Sequence, residues 1–373
     1  MTLDTIPTPR ICIDRSRVRA NIDRMQAIAA SAGVSLRPHA KTHKSPVIAR
    51  WQIDAGAVGV CCAKLGEAEV FADAGIENIR LPYPINPSNA DRVMALQDRV
   101  RLSIVVDHPA VAAAWSARMA AEGRTLDVLV KVDVGAHRCG VDPEAAETLA
   151  SVRRMATLPG LKFLGLLSHA GQAYSADSDA ALEQVAEDEA RILMTMAGQL
   201  RAGGIDVREI SVGATPTARF VDRQQGVTEM RPGTYVFCDR TQVGLGAATL
   251  DDCAMSIIST VVSRPSPTRV IFDAGSKTLS QDAVRGFESP RGHGLVYPSL
   301  AATDPDSTIV VEKLSEEHAV AYVAADSQLQ PGDRVRIIPN HTCVVTNLTD
   351  ELLVTDGLAI VDRIPVAARG RIW

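Results

Sequence analysis

The distribution of apolar and polar residues divides the chain into two parts with different periodicity. From about residue 17 to residue 240, short apolar or β-branched runs alternate with longer segments in which apolar residues recur at helical spacing. This alternation is typical of repeated βα units that build a parallel sheet. The predicted strands are residues 34–38, 58–61, 78–81, 102–107, 128–133, 163–168, 209–212 and 227–232.

The segments between these strands predict amphipathic helices, among them residues 17–32, 65–74, 110–121, 143–155 and 180–202. Eight βα units within about 230 residues favour a closed barrel over an open doubly wound sheet, because the closed barrel requires that number of units and that length. We therefore expect an α/β fold whose first domain, residues 15–245, is a (β/α)8 TIM-type barrel.

After residue 246 the pattern changes to short β-rich segments separated by turn residues. The predicted strands here are residues 254–263, 268–273, 307–313, 319–323, 334–339 and 351–361. They indicate an antiparallel β domain over residues 246–373, to which residues 1–14 can add one more strand. Residues 281–303 are rich in Gly, Pro and Ser, and we expect a long loop there.

Composition excludes several classes of function. The 373 residues carry a net charge of −5, and 46% are hydrophobic, 22% charged and 4% aromatic. We expect neither nucleic acid nor a membrane as a partner, because the chain lacks a basic stripe, a stacking platform and any apolar run near the ~18–20 residues that span a bilayer. Residues 1–10 do not resemble a secretory signal, so we expect a cytoplasmic location. The seven cysteines show no C-x-x-C spacing, and we expect most of them to be reduced core residues.

Lys41 is the first candidate for chemistry. It closes the run Leu-Arg-Pro-His-Ala-Lys at residues 36–41, where the first barrel strand should end, and His43 and Lys44 follow it. Burial among cationic groups disfavours the charged form of an amine and makes it a nucleophile for carbonyl carbons. A single lysine in a basic turn is usually a surface residue, so this interpretation depends on the other strand ends.

Those strand ends carry further unusual residues, as expected where barrels place their functional groups. Residues 133–140 follow the fifth strand and residues 168–171 the sixth, while the turns at 213–217 and 231–235 follow the seventh and eighth. Gly-bearing turns after the last two strands commonly bind phosphate through backbone N–H groups. A lysine nucleophile and a phosphate cradle in one barrel together predict pyridoxal 5'-phosphate (PLP) as the cofactor.

Several motifs carry a resemblance to a known family. They are Lys41 after the first strand, Gly-x-His-Arg-x-Gly at 135–140, Ser-His-Ala at 168–170, Arg-Pro-Gly at 231–233, Arg-Pro-His-Ala-Lys at 37–41, Gly-Val-Cys-Cys at 59–62, Asp-Val-Gly at 133–135, Cys-Gly-Val at 139–141 and Asp-Ala-Gly at 273–275. The chain resembles PLP enzymes of the alanine racemase fold type, and within them the D-serine dehydratase and D-threonine aldolase group. The resemblance extends over essentially the whole chain.

The resemblance implies roles for individual residues. Lys41 would hold PLP covalently, His169 would stack on the pyridine ring and act with Lys41 in catalysis, and Arg138 would lie near the phenolic oxygen. Arg231 either reaches toward the pyridine nitrogen or pairs with a carboxylate such as Glu229. The full set of predicted cofactor contacts is Lys41, Arg138, His169, Tyr174, Gly213, Thr215, Arg231, Gly233 and Thr234.

A second constellation lies in the β domain, in the segment Pro-Asn-His-Thr-Cys at residues 339–343. Residues i and i+2 of an extended segment face the same side, so His341 and Cys343 can converge on one ion. Imidazole and thiolate suit Zn²⁺, although another divalent metal such as Mn²⁺ is compatible. Two ligands are a weak signal by themselves, but this H-x-C pair is similar to the metal site of the family.

The choice of reaction also depends on the resemblance. A metal beside PLP suits a D-β-hydroxy amino acid, and two outcomes compete: β-elimination to a keto acid and ammonia, or retro-aldol cleavage to glycine and an aldehyde. D-threonine aldolases typically have a Gln-His pair shortly after the sixth strand and often Asp in place of Cys343. This chain has Tyr174 and Ser175 there, so we expect a dehydratase acting on D-serine, D-threonine or 3-hydroxy-D-aspartate.

Two other hypotheses remain open at this point: an aldolase of the D-threonine type, and a non-catalytic PLP-binding homeostasis protein with a similar barrel. The whole second domain with its metal pair argues against the latter. The fold type also implies a homodimer, in which the partner's β domain covers the open end of the barrel.

Overall fold

The computed structural model describes residues 1–287 and 291–373. Its strands are β1 (Arg10–Asp14), β2 (Ser35–Leu36), β3 (Val60–Cys61), β4 (Asn78–Pro84), β5 (Arg101–Val106), β6 (Leu126–Lys131), β7 (Leu161–Leu167), β8 (Glu209–Val212), β9 (Glu229–Met230), β10 (Met255–Ser266), β11 (Arg269–Phe272), β12 (Leu295–Tyr297), β13 (Val310–Leu314), β14 (Ala319–Tyr322), β15 (Arg334–Ile338), β16 (Glu351–Asp356) and β17 (Ala359–Pro365). Its helices are α1 (Arg15–Ser31), α2 (Pro46–Asp54), α3 (Leu65–Asp73), α4 (Ala90–Gln97), α5 (Pro109–Ala121), α6 (Thr148–Ala156), α7 (Asp179–Ala202), α8 (Arg240–Gly244), α9 (Ser276–Leu279) and α10 (Thr342–Asn347).

The chain forms two compact units. The barrel unit comprises residues 24–41, 46–233 and 370–373, and the sheet unit comprises residues 1–23, 42–45 and 234–369. Within the described residues, no helix is long and apolar enough to cross a bilayer. Five of the cysteines are buried, as the sequence predicts for most of them: Cys12, Cys61, Cys62, Cys238 and Cys253.

In the barrel unit, the described residues form an eight-stranded parallel sheet in the order β2-β9-β8-β7-β6-β5-β4-β3. Two hydrogen bonds join the end strands: Val58 N donates to Leu36 O at 2.9 Å, and Cys61 N donates to Pro38 O at 2.8 Å. The sheet therefore closes on itself, and the predicted TIM-type barrel is confirmed.

Some element bounds differ from those predicted. Strands β2 and β9 are only two residues long, although His39 N still donates to Pro232 O at 2.9 Å beyond them. Helix α6 begins at residue 148 rather than 143. The preceding residues form a turn instead, in which the Asp142 carboxylate accepts from Glu144 N at 2.9 Å.

In the sheet unit, the described strands follow the order β13-β14-β11-β10-β1-β16-β17, with β15 also pairing with β10 and β12. Strand β1 lies between β10, which it pairs antiparallel, and β16, which it pairs parallel. The other pairs among the described strands of this unit are all antiparallel, as predicted. The predicted single strand at 351–361 is wrong: Gly357, with φ of +57°, makes a turn between β16 and β17.

The expected loop at 281–303 is also only partly right. It contains β12, a three-residue strand that pairs with β15. The part of this prediction that falls on residues 288–290 lies outside the described residues.

Candidate active site

Lys41 lies in a short 3-10 turn, Ala40–Thr42, that follows β2 in the barrel. Its backbone N–H points to Nδ1 of His39 at 3.4 Å. Burial lowers the pKa of His39 well below its ordinary value, and the charges of Lys41 and Arg231 lower it further. The imidazole of His39 is therefore neutral at physiological pH.

His169 follows β7 and is a second neutral imidazole in the barrel unit. Its Nδ1 lies 2.7 Å from the carbonyl oxygen of Gly213. A carbonyl only accepts, so Nδ1 carries the proton and Nε2 keeps its lone pair. Burial lowers the pKa of His169 to about 3, with further lowering by Lys41 and Arg138. The ring is thus fixed in one tautomer and remains uncharged.

Arg231 is buried directly after β9. Its Nε donates to Ser211 Oγ at 2.7 Å, and its Nη2 donates to the carbonyl oxygens of Ser168 and Ser211. Ser211 Oγ in turn donates to Glu229 at 2.6 Å. Of the two alternatives left open by the sequence, direct pairing of Arg231 with Glu229 is therefore not observed: a serine hydroxyl separates them.

Glu229 instead pairs with two other arginines inside the barrel. Its Oε2 accepts from Arg37 Nε at 2.7 Å and its Oε1 from Arg80 Nη1 at 2.5 Å. Arg80 also donates to Glu209 at 2.6 Å. Burial alone raises the pKa of Glu229, but Arg80 and Arg37 lower it to about 2, so this carboxylate is charged. We call Arg37, Arg80, Glu209 and Glu229 the buried ion-pair chain.

The two turns predicted to hold phosphate are joined to each other. Gly233 N donates to Thr215 Oγ1 at 3.2 Å. A Cβ atom at Gly213 would lie 2.9 Å from the backbone nitrogen of Arg231, so the close approach of the two turns requires glycine there. The side chain of Thr215 is buried. The structure thus places Gly213, Thr215 and Gly233 together at the ends of β8 and β9.

Two predicted cofactor contacts occupy less enclosed positions. Arg138 is exposed on the loop after β6, although its charge contributes to lowering the pKa of His169. Tyr174 is partly buried in the 3-10 turn Gly171–Ser175. Both assignments remain predictions.

Lys131 is a chemically notable residue that the sequence interpretation missed. It ends β6, and its Nζ donates to Pro82 O at 2.9 Å in the barrel interior. Burial lowers the pKa of Lys131 to about 8, and the charges of Arg231 and Arg138 contribute to that lowering. The signal in the sequence is a single lysine at the end of the apolar run Leu-Asp-Val-Leu-Val-Lys.

Glu189 was also missed. It lies on the buried face of α7, where its Oε1 accepts from Ser168 Oγ at 2.6 Å and faces Gly213 N at 3.4 Å. Burial raises the pKa of Glu189. Its position within the apolar stripe of the helix is the sequence signal that could have identified it. Glu189 links the ends of β7 and β8.

The predicted metal pair lies in the sheet unit. The premise of an extended segment is wrong, because only His341 has extended backbone, as the residue before α10, and Cys343 lies in the first turn of that helix. The side chains nevertheless lie close together: burial lowers the pKa of His341, but the charge of the Cys343 sulfur and a hydrogen bond to it raise the pKa to about 9. Thr42 Oγ1 lies 3.2 Å and Thr234 Oγ1 3.8 Å from Cys343 Sγ. Thr234, predicted to be a phosphate contact, thus lies beside the metal pair.

The residues present fit both groups. The cationic side chains that lower the pKa of His39 after burial include Lys41 and Arg231, which suits an anionic phosphate-bearing cofactor. An imidazole next to a thiol, with a hydroxyl at the sulfur, suits a borderline ion such as Zn²⁺. In residues 1–287 and 291–373 there is no group of three or more His, Cys, Asp or Glu side chains able to hold a metal.

Comparison with known proteins gives the family. Residues 13–241 match the model of the alanine racemase N-terminal domain, and residues 254–355 match that of a serine dehydratase domain. D-threo-3-hydroxyaspartate dehydratase of Delftia sp. (strain HT23) is 35% identical over 92% of this chain and 92% of its own. D-threonine aldolase of Arthrobacter sp. is 34% identical over 99% of this chain and 94% of its own.

Solved structures agree with these relatives. A cysteine-to-alanine mutant of D-threo-3-hydroxyaspartate dehydratase, in the metal-free form, superposes with a TM-score of 0.92 at 32% identity, covering 98% of both chains. The two domain models together account for most of the sequence, in the order in which they occur here. The chain therefore belongs to the alanine racemase-fold family, in the group of D-serine dehydratases and D-threonine aldolases.

Proposed function

We propose that this protein is a PLP- and metal-dependent lyase that dehydrates a D-β-hydroxy amino acid, namely D-serine, D-threonine or 3-hydroxy-D-aspartate, to a keto acid and ammonia. The observation that carries the proposal is the placement of Lys41 after β2, with its backbone nitrogen 3.4 Å from His39 Nδ1, in the same barrel as His169, whose ring is fixed by Gly213 O at 2.7 Å. Burial keeps both imidazoles neutral by lowering their pKa values. An amine nucleophile among unprotonated bases is the arrangement needed to attach a carbonyl cofactor and then move a proton.

Each barrel residue has a distinct task in this proposal. Lys41 Nζ would hold the cofactor and, as a free amine, would remove the proton from Cα of the substrate. His169 presents a ring fixed by its Nδ1–H bond to Gly213 O, and Arg231 presents a guanidinium oriented by Ser211. Gly213, Thr215 and Gly233 would hold the phosphate. When bound, PLP supplies an electron sink at Cα, and a divalent ion at His341 and Cys343 supplies a Lewis acid for the β-oxygen.

The choice of elimination over retro-aldol cleavage is supported by what is absent from the sequence. Residues 170–178 read Ala-Gly-Gln-Ala-Tyr-Ser-Ala-Asp-Ser and contain no histidine to remove a proton from the β-hydroxyl. The aldolase remains the second candidate, because an aldolase relative is as similar to the chain as the dehydratase one.

Product analysis tests the proposal directly. Purified protein supplied with PLP and Zn²⁺ is expected to convert D-threonine to 2-oxobutanoate and ammonia, and to leave L-threonine unchanged, because Lys41 reaches only one face of the bound substrate. D-serine and 3-hydroxy-D-aspartate should be assayed in parallel. Glycine and acetaldehyde as the main products would establish the aldolase instead, and no product from any substrate would favour a non-catalytic PLP-binding protein.

Metal removal is expected to separate turnover from cofactor binding. His341 and Cys343 lie in the sheet unit, whereas the proposed phosphate turns lie in the barrel unit. Treatment with EDTA should therefore abolish turnover, leave the visible absorbance of the bound cofactor largely intact, and be reversed by added Zn²⁺. Full activity of metal-free protein on every β-hydroxy substrate would refute the metal requirement.

We further propose that the protein forms a homodimer and is located in the cytoplasm. The homodimer is supported by the need to shield a reactive carbanion-like centre from water at the open end of a barrel.

A further inference from the structure

Asp239 is a buried carboxylate that the proposed reaction does not use. It precedes α8 and is completely inaccessible to solvent. Its Oδ1 accepts from Gln242 N at 3.0 Å, and its Oδ2 accepts from Thr342 N at 3.0 Å and from Thr342 Oγ1 at 3.3 Å. Three donors from two helix ends therefore fix the orientation of this carboxylate.

The fixed carboxylate faces one particular nitrogen of the predicted metal ligand. Asp239 Oδ2 lies 3.6 Å from Nδ1 of His341. The distance exceeds that of a hydrogen bond, but the negative charge of a carboxylate this close favours the tautomer that carries its proton on the facing nitrogen. A proton held on Nδ1 leaves the lone pair on Nε2.

Asp239 is poorly suited to be a metal ligand itself. It is fully buried, and its two oxygens already accept three hydrogen bonds. Metal-binding histidines commonly pair their second nitrogen with a carboxylate, which sets the tautomer and the ring orientation. The arrangement of Asp239 and His341 matches that pattern.

We infer that Asp239 is a positioning residue for the metal pair: its carboxylate holds the Nδ1–H tautomer of His341 and directs Nε2, together with Cys343 Sγ, toward a divalent cation. The inference rests on the metal site of the proposed function and adds the residue that orients it. Removing such a partner weakens metal binding by about 10- to 100-fold in comparable sites.

The first test measures zinc affinity rather than activity. Wild type, Asp239→Asn and Thr346→Val are titrated with Zn²⁺ in competition with a chromophoric chelator. Thr346 is a matched control, because its buried hydroxyl donates to Thr342 O at 3.0 Å on the same helix without contacting Asp239. Asp239→Asn should bind Zn²⁺ about 10- to 100-fold more weakly, whereas Thr346→Val should remain close to wild type.

The second test needs no variant that might lose its fold. A crystal structure of the wild-type protein grown with Zn²⁺ shows which nitrogen of His341 binds the metal, and Nε2 is expected. Binding through Nδ1, or equal zinc affinity in wild type and a folded Asp239→Asn protein, overturns the inference while leaving the metal site intact. A wild type that binds no Zn²⁺ at His341 and Cys343 refutes the proposed metal site and this inference with it.

Discussion

Replacing Lys41 with alanine is expected to give a colourless protein after dialysis and to reduce turnover by at least about 10³-fold. In the proposed function one residue supplies both the covalent attachment of the cofactor and the base for the Cα proton, and a general base alone contributes about 10²–10⁴-fold. Absorbance of the PLP-reconstituted variant and a single-turnover assay on D-threonine check the result.

The buried amine of Lys131 is the alternative attachment point for the cofactor, because burial lowers its pKa to about 8, a value that suits a nucleophile. Borohydride reduction followed by peptide mapping distinguishes the two lysines. A Lys41→Ala protein that keeps a borohydride-reducible link would show that the assignment is wrong. Lys162→Ala is the matched control: this lysine is half exposed beside Asp127 in the same unit, and its loss should change neither the spectrum nor the rate.

The second large effect is on stability, at Glu229. Glu229→Gln is expected to lose about 3–5 kcal/mol of unfolding free energy, because it leaves the buried guanidinium groups of Arg37 and Arg80 without their shared counter-charge. Urea unfolding, monitored by circular dichroism, measures this loss of unfolding free energy. The control is Glu351→Gln, whose carboxylate pairs with Arg363 at 2.9 Å on the surface and should cost no more than about 1 kcal/mol.

Glu229 also makes the stability of the fold depend on pH. The pKa of Glu229 falls from 4.5 to about 2 on folding, with Arg80 and Arg37 outweighing the effect of burial. A carboxylate with a lowered pKa stabilises the fold above its unfolded value and loses that contribution as the pH falls through the folded one. Wild-type stability should therefore decline between pH 4.5 and about 2 more steeply than that of Glu229→Gln. Parallel acid profiles of the two proteins would contradict the assigned ion pair.

The fold was largely predictable because a parallel barrel repeats one signal many times. Each buried strand is a short apolar run, and each helix has a regular apolar stripe. A helix start predicted at residue 143 and observed at 148, as for α6, therefore does not change the predicted architecture. Elements without that repetition were harder to predict. Strand β12 has three residues and depends on pairing with β15, which is distant in sequence, and only Gly357 indicated the turn between β16 and β17.

The placement of Lys41 and His169 in the barrel was predictable, because each residue follows the end of a strand. The placement of a charged side chain was not predictable where it depends on a partner far along the chain. Glu189 is buried because Ser168 donates to it, and Asp239 because Thr342, 103 residues later, does so. Periodicity identifies which positions are buried but not which distant donors make burial of a carboxylate tolerable.

The buried ion-pair chain has a consequence for engineering. Replacing buried ion pairs with apolar residues of similar volume often raises stability, so Arg37, Arg80, Glu209 and Glu229 are attractive targets for a thermostable variant. Yet Glu229 accepts the hydroxyl of Ser211, and that hydroxyl accepts from Arg231. An apolar replacement at Glu229 would free the Ser211 hydroxyl to rotate, so that Arg231 would lose one of the bonds that orient it while keeping those of Nη2 to the carbonyl oxygens of Ser168 and Ser211. In the proposed function, where Arg231 faces the cofactor, heat resistance gained in this layer would therefore come with a slower enzyme.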